Sequence, residues 1–180
     1  VGNTTLANEG IDDVFVAKYD PNGNVLWAKR AGGADGDYGS GIAVDSSGNS
    51  HITGYFASAT ATFGNTTLAN AGSTCVFMAK YDPDGSVLWA KRGGGTGMNV
   101  AAGIAVDASG NSYVTGSFSE TATFGDTILT SSGIYDVFVA KYDPDGNVLW
   151  AKRAGGTDYD TGVGIAADAA GNSYVTGFFV

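Results

Sequence analysis

The hydrophobic positions of this chain fall in short runs whose two alternating faces are both apolar. In Val14-Phe-Val-Ala-Lys-Tyr19, Val14 and Val16 point one way and Phe15, Ala17 and Tyr19 the other. A strand of this kind has to be covered on both sides. It is followed by Asp20-Pro-Asn-Gly-Asn24, where Pro suits the first turn position and Gly a positive φ angle, which predicts a tight hairpin connection. Residues 25–30 then read as the returning strand, carrying Trp27 and ending in Lys29-Arg30. A charged end suits an outer strand that must not pair with a neighbouring molecule.

Nearly the same hairpin returns at 75–92 and 136–153, with Lys18, Lys80 and Lys141 separated by 62 and then 61 residues. A period of this size is characteristic of solenoids, propellers and arrays. Between the hairpins, the Gly- and Asp-rich segment 31–40 differs in each copy and is expected to be a loop. A small-residue strand is predicted at 41–45, repeated at 103–107 and 164–168. A longer strand is predicted at 51–56, 113–118 and 174–179, with Thr-Gly at its centre in every copy. Glycine in mid-strand predicts a bulge or the close approach of neighbouring backbone. The bridge to the next hairpin holds two small strand-like pieces, around Thr62-Phe63 and 66–68. No stretch shows a 3.6-residue period with helix formers and caps. The expected class is all-β.

Each unit thus offers four strands: small-residue, Thr-Gly, Val-Phe and Trp. An antiparallel four-stranded meander with both faces apolar is what a propeller blade requires, because adjacent blades cover both faces. The small residues belong where blades converge and the charged Trp strand outermost. A stacked β-solenoid, the competing architecture, would need shorter coils and fewer hairpin signals. The long motif Asp136-Val-Phe-Val-Ala-Lys-Tyr-Asp-Pro-Asp-Gly-Asn-Val-Leu-Trp-Ala-Lys-Arg153, followed by Gly-Gly-type loops and by Gly-Ile-Ala-Val-Asp-Ala-Ser-Gly-Asn-Ser-Tyr-Val-Thr-Gly at 103–116, resembles the SBBP family of bacterial and archaeal beta-propeller repeats. The resemblance covers essentially the whole chain. It implies a propeller within a secreted or cell-surface protein and offers no shared catalytic residues to carry over.

The phase of the repeats predicts three blade equivalents, circularly offset. Residues 1–30 supply the two outer strands of a shared blade, 31–92 and 93–153 complete blades, and 154–180 the two inner strands of a shared blade. Three blades do not close a ring. The two halves are complementary, so the expectation is a homodimer whose ring of six blades closes between chains. A nine-bladed trimer and a piece of a longer covalent propeller are the alternatives. The chain starts at Val1 with no apolar leader, which reads as a processed product or an excised fragment.

Composition narrows the chemistry. With 9 Lys+Arg against 18 Asp+Glu and a formal charge of −9, the surface lacks the clustered cations a nucleic acid needs. It suits a neutral or cationic partner or bound metal. No apolar run approaches a membrane span. The single cysteine, Cys75, stands where the other copies have Asp13 and Asp136 and reads as drift. His51, where the others have Tyr113 and Tyr174, reads as a packing residue with no evident nucleophile.

In this topology one rim carries the near-invariant turns and the other the variable loops, where binding residues concentrate. Asp35, Asp37, Tyr38, Asn99, Asp158, Tyr159 and Asp160 are the candidate ligand-binding residues, combining carboxylates with aromatic platforms suited to a sugar or cationic peptide. The plainer reading is solvated loop residues. Asp20, Asp82 and Asp143 resemble half of a calcium loop but lack its distal Glu, so turn formation is the competing role and calcium the possible cofactor. Asn3 and Asn65 match a glycosylation pattern. The functional expectation is a non-enzymatic extracellular or cell-surface module binding a carbohydrate or protein through its variable rim. The alternative is a structural module whose role is assembly between chains.

Overall fold

The computed structural model describes residues 4–180. Sixteen strands and no helix are found among them: β1 (Val14–Tyr19), β2 (Val25–Gly32), β3 (Asp37–Val44), β4 (Ser50–Phe56), β5 (Thr60–Phe63), β6 (Thr66–Ala69), β7 (Cys75–Tyr81), β8 (Val87–Gly93), β9 (Asn99–Val106), β10 (Ser112–Phe118), β11 (Thr121–Phe124), β12 (Thr127–Thr130), β13 (Asp136–Tyr142), β14 (Val148–Ala154), β15 (Thr161–Ala167) and β16 (Ser173–Phe178). Two antiparallel four-stranded sheets, β3-β4-β7-β8 and β9-β10-β13-β14, are complete blades of the predicted order. They are flanked by two-stranded halves, β1-β2 at the amino-terminal side and β15-β16 at the other. Within the chain these halves do not pair with each other, and no closed ring is formed.

The small-residue strand begins earlier than the sequence suggested. In the first copy it starts at Asp37 rather than at 41, because a bulge between Gly39 and Gly41 keeps the pairing with β4 going through the segment read as loop. The bulge pushes the Tyr38 carbonyl over Gly54, where any Cβ would collide with it. Val100 does the same over Gly116, and Thr161 over Gly177. This is the reason for the recurring Thr-Gly. The aromatic ring of the neighbouring Val-Phe strand then lies across the bare glycine, Phe77 on Gly54 and Phe138 on Gly116. The preceding threonine fixes the register, since Thr53 donates to the Phe77 carbonyl at 2.8 Å and Thr115 to the Phe138 carbonyl at 2.9 Å.

Two hydrophobic clusters form between adjacent sheets, one joining Val14, Val16 and Phe63 to Phe56, Phe77 and Tyr81, the other joining Val76 and Met78 to Phe118, Phe124, Phe138 and Tyr142. The apolar faces of each blade are therefore covered by its neighbours, as the two-faced strand pattern requires.

Two further devices lock blade to blade. The hairpin β5-β6 lies between the second and third strands of its blade in sequence, yet pairs back onto β2 of the preceding half-blade, Ala31 with Phe63 and Gly32 with Thr62. In the next blade β11-β12 reaches back to the end of β8, with Gly94 and Thr123 exchanging hydrogen bonds of 3.0 and 3.2 Å. On the opposite rim, the Pro83 carbonyl of one blade accepts from both Lys18 Nζ and Trp27 Nε1 of the previous one, each at 2.9 Å. Pro144 likewise accepts from Lys80 at 3.4 Å and Trp89 at 3.0 Å. The turn glycines Gly85 and Gly146 are pressed against Trp27 and Trp89.

Candidate functional site

The variable rim is built where the loops between Trp strand and small-residue strand meet the hairpin connections. Three of the residues expected to face outward there are interior. Asp37, Asn99 and Asp160 occupy equivalent positions at the start of β3 and β9 and just before β15, and all are buried. Asp37 accepts from the Gly33 N–H at 2.6 Å and the Ser58 hydroxyl at 2.8 Å. Asp160 accepts from the Gly156 N–H at 2.6 Å, and Asn99 donates to the carbonyls of Thr74 and Gly97, both at 2.9 Å. Asp37 and Asp160 satisfy an N–H of the sharp Gly-Gly corner that a strand-only sheet leaves unpaired, while Asn99 ties its loop to Thr74, just before β7. They brace the loop from inside.

Tyr38 and Tyr159 do reach solvent, but they are not equivalent positions. Tyr38 stacks on Tyr55 with ring centroids 5.1 Å apart and donates to Asp12 at 2.7 Å. That hydrogen bond to Asp12 is the main cause that pushes the Tyr38 phenol above its ordinary value. Tyr159 stacks on Tyr135 at 5.5 Å. Asp35 is exposed, with its N–H donated to Ser58, and the Asp158 carbonyl receives the Ile134 and Tyr135 N–H groups. The rim thus carries two separate tyrosine pairs in different blades.

The turn aspartates use their oxygens locally. In Asp20 and Asp143 one carboxylate oxygen accepts two backbone N–H groups and the other the amide of Asn24 or Asn147. Asp82 takes the N–H groups of Asp84 and Ser86. The hydrogen bond from the Asn24 side chain is the largest influence on Asp20 and holds its carboxyl below the ordinary range. Among the described residues no three His, Cys, Asp or Glu side chains gather as a metal site. Asn65 is exposed in the β5-β6 turn, and Asn3 lies outside the described residues.

His51 has partners the sequence did not reveal. Its Nδ1 lies 2.7 Å from Ser112 Oγ and its Nε2 3.2 Å from Asp45 Oδ2, with Lys80 Nζ 3.2 Å from the same carboxylate. A carboxylate only accepts, so Nε2 carries the proton and Nδ1 accepts from the serine hydroxyl. The order Ser-His-Asp is that of a nucleophile relay, but Ser112 and His51 are fully buried and no acyl group can reach Oγ. Burial pushes the imidazole below its ordinary value, against the pull of Asp45. Burial also works to raise Asp45, and the hydrogen bonds from Asn49, His51 and Lys80 overcome it and hold the carboxyl well below the carboxylate range. Ser112 is one repeat beyond Ser50, so only the knowledge that equivalent strands face each other across blades could have found the pair.

Cys75 is buried. In the other copies its place holds a carboxylate paired across the hairpin, Asp13 with Arg30 at 2.7 Å and Asp136 with Arg153 at 2.8 Å. Arg92 instead donates to the Ala69 carbonyl.

The two halves expose apolar side chains that the complete blades bury. Phe15 is 62% exposed while its equivalents Phe77 and Phe138 are fully buried, and Phe179 is 86% exposed while Phe56 and Phe118 are fully buried. A groove beside β1, about 570 Å³ and walled by β3, runs where the other blades have a Thr-Gly strand.

Comparison with known proteins agrees with this architecture. The chain is 33% identical over 147 residues to an uncharacterized WD repeat-containing protein of Acanthamoeba polyphaga mimivirus, covering 74% of this chain and 10% of that one. It is 28% identical over 160 residues to the regulatory protein FlaEY of Caulobacter vibrioides, covering 85% of this chain and 17% of that one. The chain therefore spans less than a fifth of either relative. The family model described as beta-propeller repeat, SBBP, matches residues 26–55 and 149–177. Each match runs from a Trp strand through the small-residue strand and into the Thr-Gly strand, so the chain carries SBBP beta-propeller repeats at these two places.

Proposed function

We propose that this chain is a non-catalytic assembly module whose two half-blades complete one another between two copies, giving a ring of six blades. The observation that carries this reading is the match between the two open surfaces. In complete blades the Thr-Gly and Val-Phe strands pair Thr53 with Met78 and Gly54 with Phe77, and Thr115 with Val139 and Gly116 with Phe138. The same register sets Thr176 of β16 opposite the Val16 position of a second copy and Gly177 opposite its Phe15. It buries Phe15 and Phe179 and satisfies the free edge of β1. It also brings the exposed Pro21 turn of the second copy to Trp150 and Lys141, the contact made by Pro83 and Pro144 inside the chain. The interface is head-to-tail, and it closes when two copies contribute one each.

Mass in solution at micromolar concentration tests this, with twice 18.2 kDa expected. Phe15→Asp should give a folded monomer, because Phe15 is already exposed in the single chain. A wild-type monomer with native circular dichroism at tens of micromolar, about the range of weak association, would overturn the reading.

The two exposed tyrosine pairs favour a second role on the same scaffold, the recognition of a carbohydrate or protein ligand at the variable rim, in an extracellular or cell-surface setting. Stacked aromatic platforms beside carboxylates suit a sugar or a cationic peptide. A glycan-array signal lost on Tyr38→Ala and Tyr159→Ala supports it. Equal signal from both variants removes it.

A further inference from the structure

The surface formed by Ala154, Gly155 and Gly156 has two counterparts inside the chain, and both are covered. At the first, Ala31 and Gly32 pair with Phe63 and Thr62, and the Thr60 carbonyl sits so close to Gly33 that a Cβ there would collide with it. At the second, Gly94 pairs with Thr123, the Phe124 ring lies against Gly93 and the Thr121 carbonyl against Gly95. In each case the covering element is a hairpin of sequence Thr-Ala-Thr-Phe-Gly, its Phe fully buried against the Val-Phe strand of its own blade, 4.7 Å from Phe77 and 4.8 Å from Phe138.

The third surface keeps the same shape. Gly155 has φ 147°, against 143° at Gly32, and Asp136 and Asp160 crowd it as Asp13 and Asp37 crowd Gly32. Gly156 meets nothing nearer than the Asp160 carboxylate at 3.9 Å, and all three residues are exposed. Beside them lies an apolar cavity of about 450 Å³ lined by Val137, Ala154, Phe178 and Phe179. Both Thr-Ala-Thr-Phe-Gly hairpins among the described residues are already engaged, on β2 and at the end of β8.

We propose that Ala154, Gly155 and Gly156 form a strand-acceptor site for a Thr-Ala-Thr-Phe-Gly hairpin presented by another propeller-repeat chain. The incoming strand exchanges N–H and C=O hydrogen bonds with Gly155, as Thr123 does with Gly94. Its Phe enters the cavity between Ala154 and Phe179, and its first Thr carbonyl comes down over Gly156, where only glycine leaves room. The partner is thus recognised by backbone pairing and one buried ring, with no charge required. The seat belongs to a single chain, so it stands whether or not the ring closes between two copies.

The test is titration of the full isotopically labelled chain with a synthetic peptide of residues 58–70, followed by the amide signals of Gly155 and Gly156. Saturable shifts confined to these residues and to the neighbourhood of Phe179 are expected. A peptide carrying Phe63→Ala should bind at least about tenfold more weakly, since one large apolar side chain is left unburied. Chain variant Gly156→Val, at an exposed position, should stay folded and lose the shifts. No shift up to about 1 mM peptide, equal binding of the Phe63→Ala peptide, or equal binding by Gly156→Val would each overturn the proposal. So would a dimer in which the amino-terminal segment of the second copy already protects the Gly155 amide.

Discussion

Trp27 gives its indole N–H to the carbonyl of Pro83, 56 residues along the chain and one blade away, at 2.9 Å. Trp89 and Pro144 repeat the bond at 3.0 Å. Trp89→Phe keeps one aromatic ring but removes the donor and part of the packing, which should cost at least about 1 kcal/mol in urea unfolding. Trp150 has no such acceptor among the described residues, so Trp150→Phe should cost the single chain less than Trp89→Phe does and should also weaken association, read as a shift in the mass profile on dilution.

Gly116 marks the point where backbone meets backbone. An added methyl would strike the Val100 carbonyl and approach Ala101 Cα at 2.8 Å, neither of which can swing away. Gly116→Ala should therefore destabilise by at least ~2 kcal/mol. Gly156→Ala, in open space, should change the free energy of unfolding by less than about 0.5 kcal/mol.

At Cys75 the chain departs from its own pattern. The Ala71 N–H points at the sulfur at 3.4 Å, as the Ser132 N–H points at Asp136 at 2.6 Å, and Arg92 stands where Arg30 and Arg153 bind their carboxylates. Cys75→Asp completes that arrangement and should stabilise by about 0.5–1 kcal/mol. Thermal unfolding checks the sign, and a lower Tm would show that this blade has repacked around sulfur.

His51 makes stability depend on pH. Facing it are Asp45, Lys80, Ser112 and the edge of Trp89. Burial holds its folded-state value below the ordinary 6.5. As pH falls through 6.5 the unfolded chain binds a proton that the folded chain refuses, so stability declines from there until the folded imidazole also titrates. Asp45 is held below its ordinary 3.8, so its contribution persists through this window and is lost only at lower pH. His51→Tyr, which copies Tyr113 and its hydrogen bond to Asp107 at 3.0 Å, should flatten the profile between pH 6.5 and the folded-state value. Urea midpoints across that range provide the measurement.

The blades were legible because repetition made local signals unambiguous. The Asp-Pro-Asn/Asp-Gly turn, the two-faced Val-Phe strand and the mid-strand Thr-Gly each had three copies to agree with. What local pattern did not show was which way a side chain turns and which distant strand it meets. Asp37, Asn99 and Asp160 looked like rim ligands because they sit in variable, Gly-rich sequence, but the variation is in their surroundings while each turns inward onto a backbone corner. His51 looked solitary because Ser112 is separated from it by a whole repeat. The hairpin at 60–69 was readable as two small strands, but not its pairing with the blade before it, since nothing local distinguishes a strand that extends its own sheet from one that reaches back.

That backward reach sets the order in which the molecule can be made and pulled apart. Hairpin β5-β6 finds its pairing edge on a strand already synthesised, so each blade emerging from the ribosome docks onto one that came before it, and growth proceeds in one direction. Under tension the consequence is reversed. A pull that draws Cys75–Tyr81 out of its sheet also drags on the outer strand of the preceding blade, so force is shared across the boundary and rupture should take blades in coupled pairs, with steps longer than one repeat in a force–extension trace.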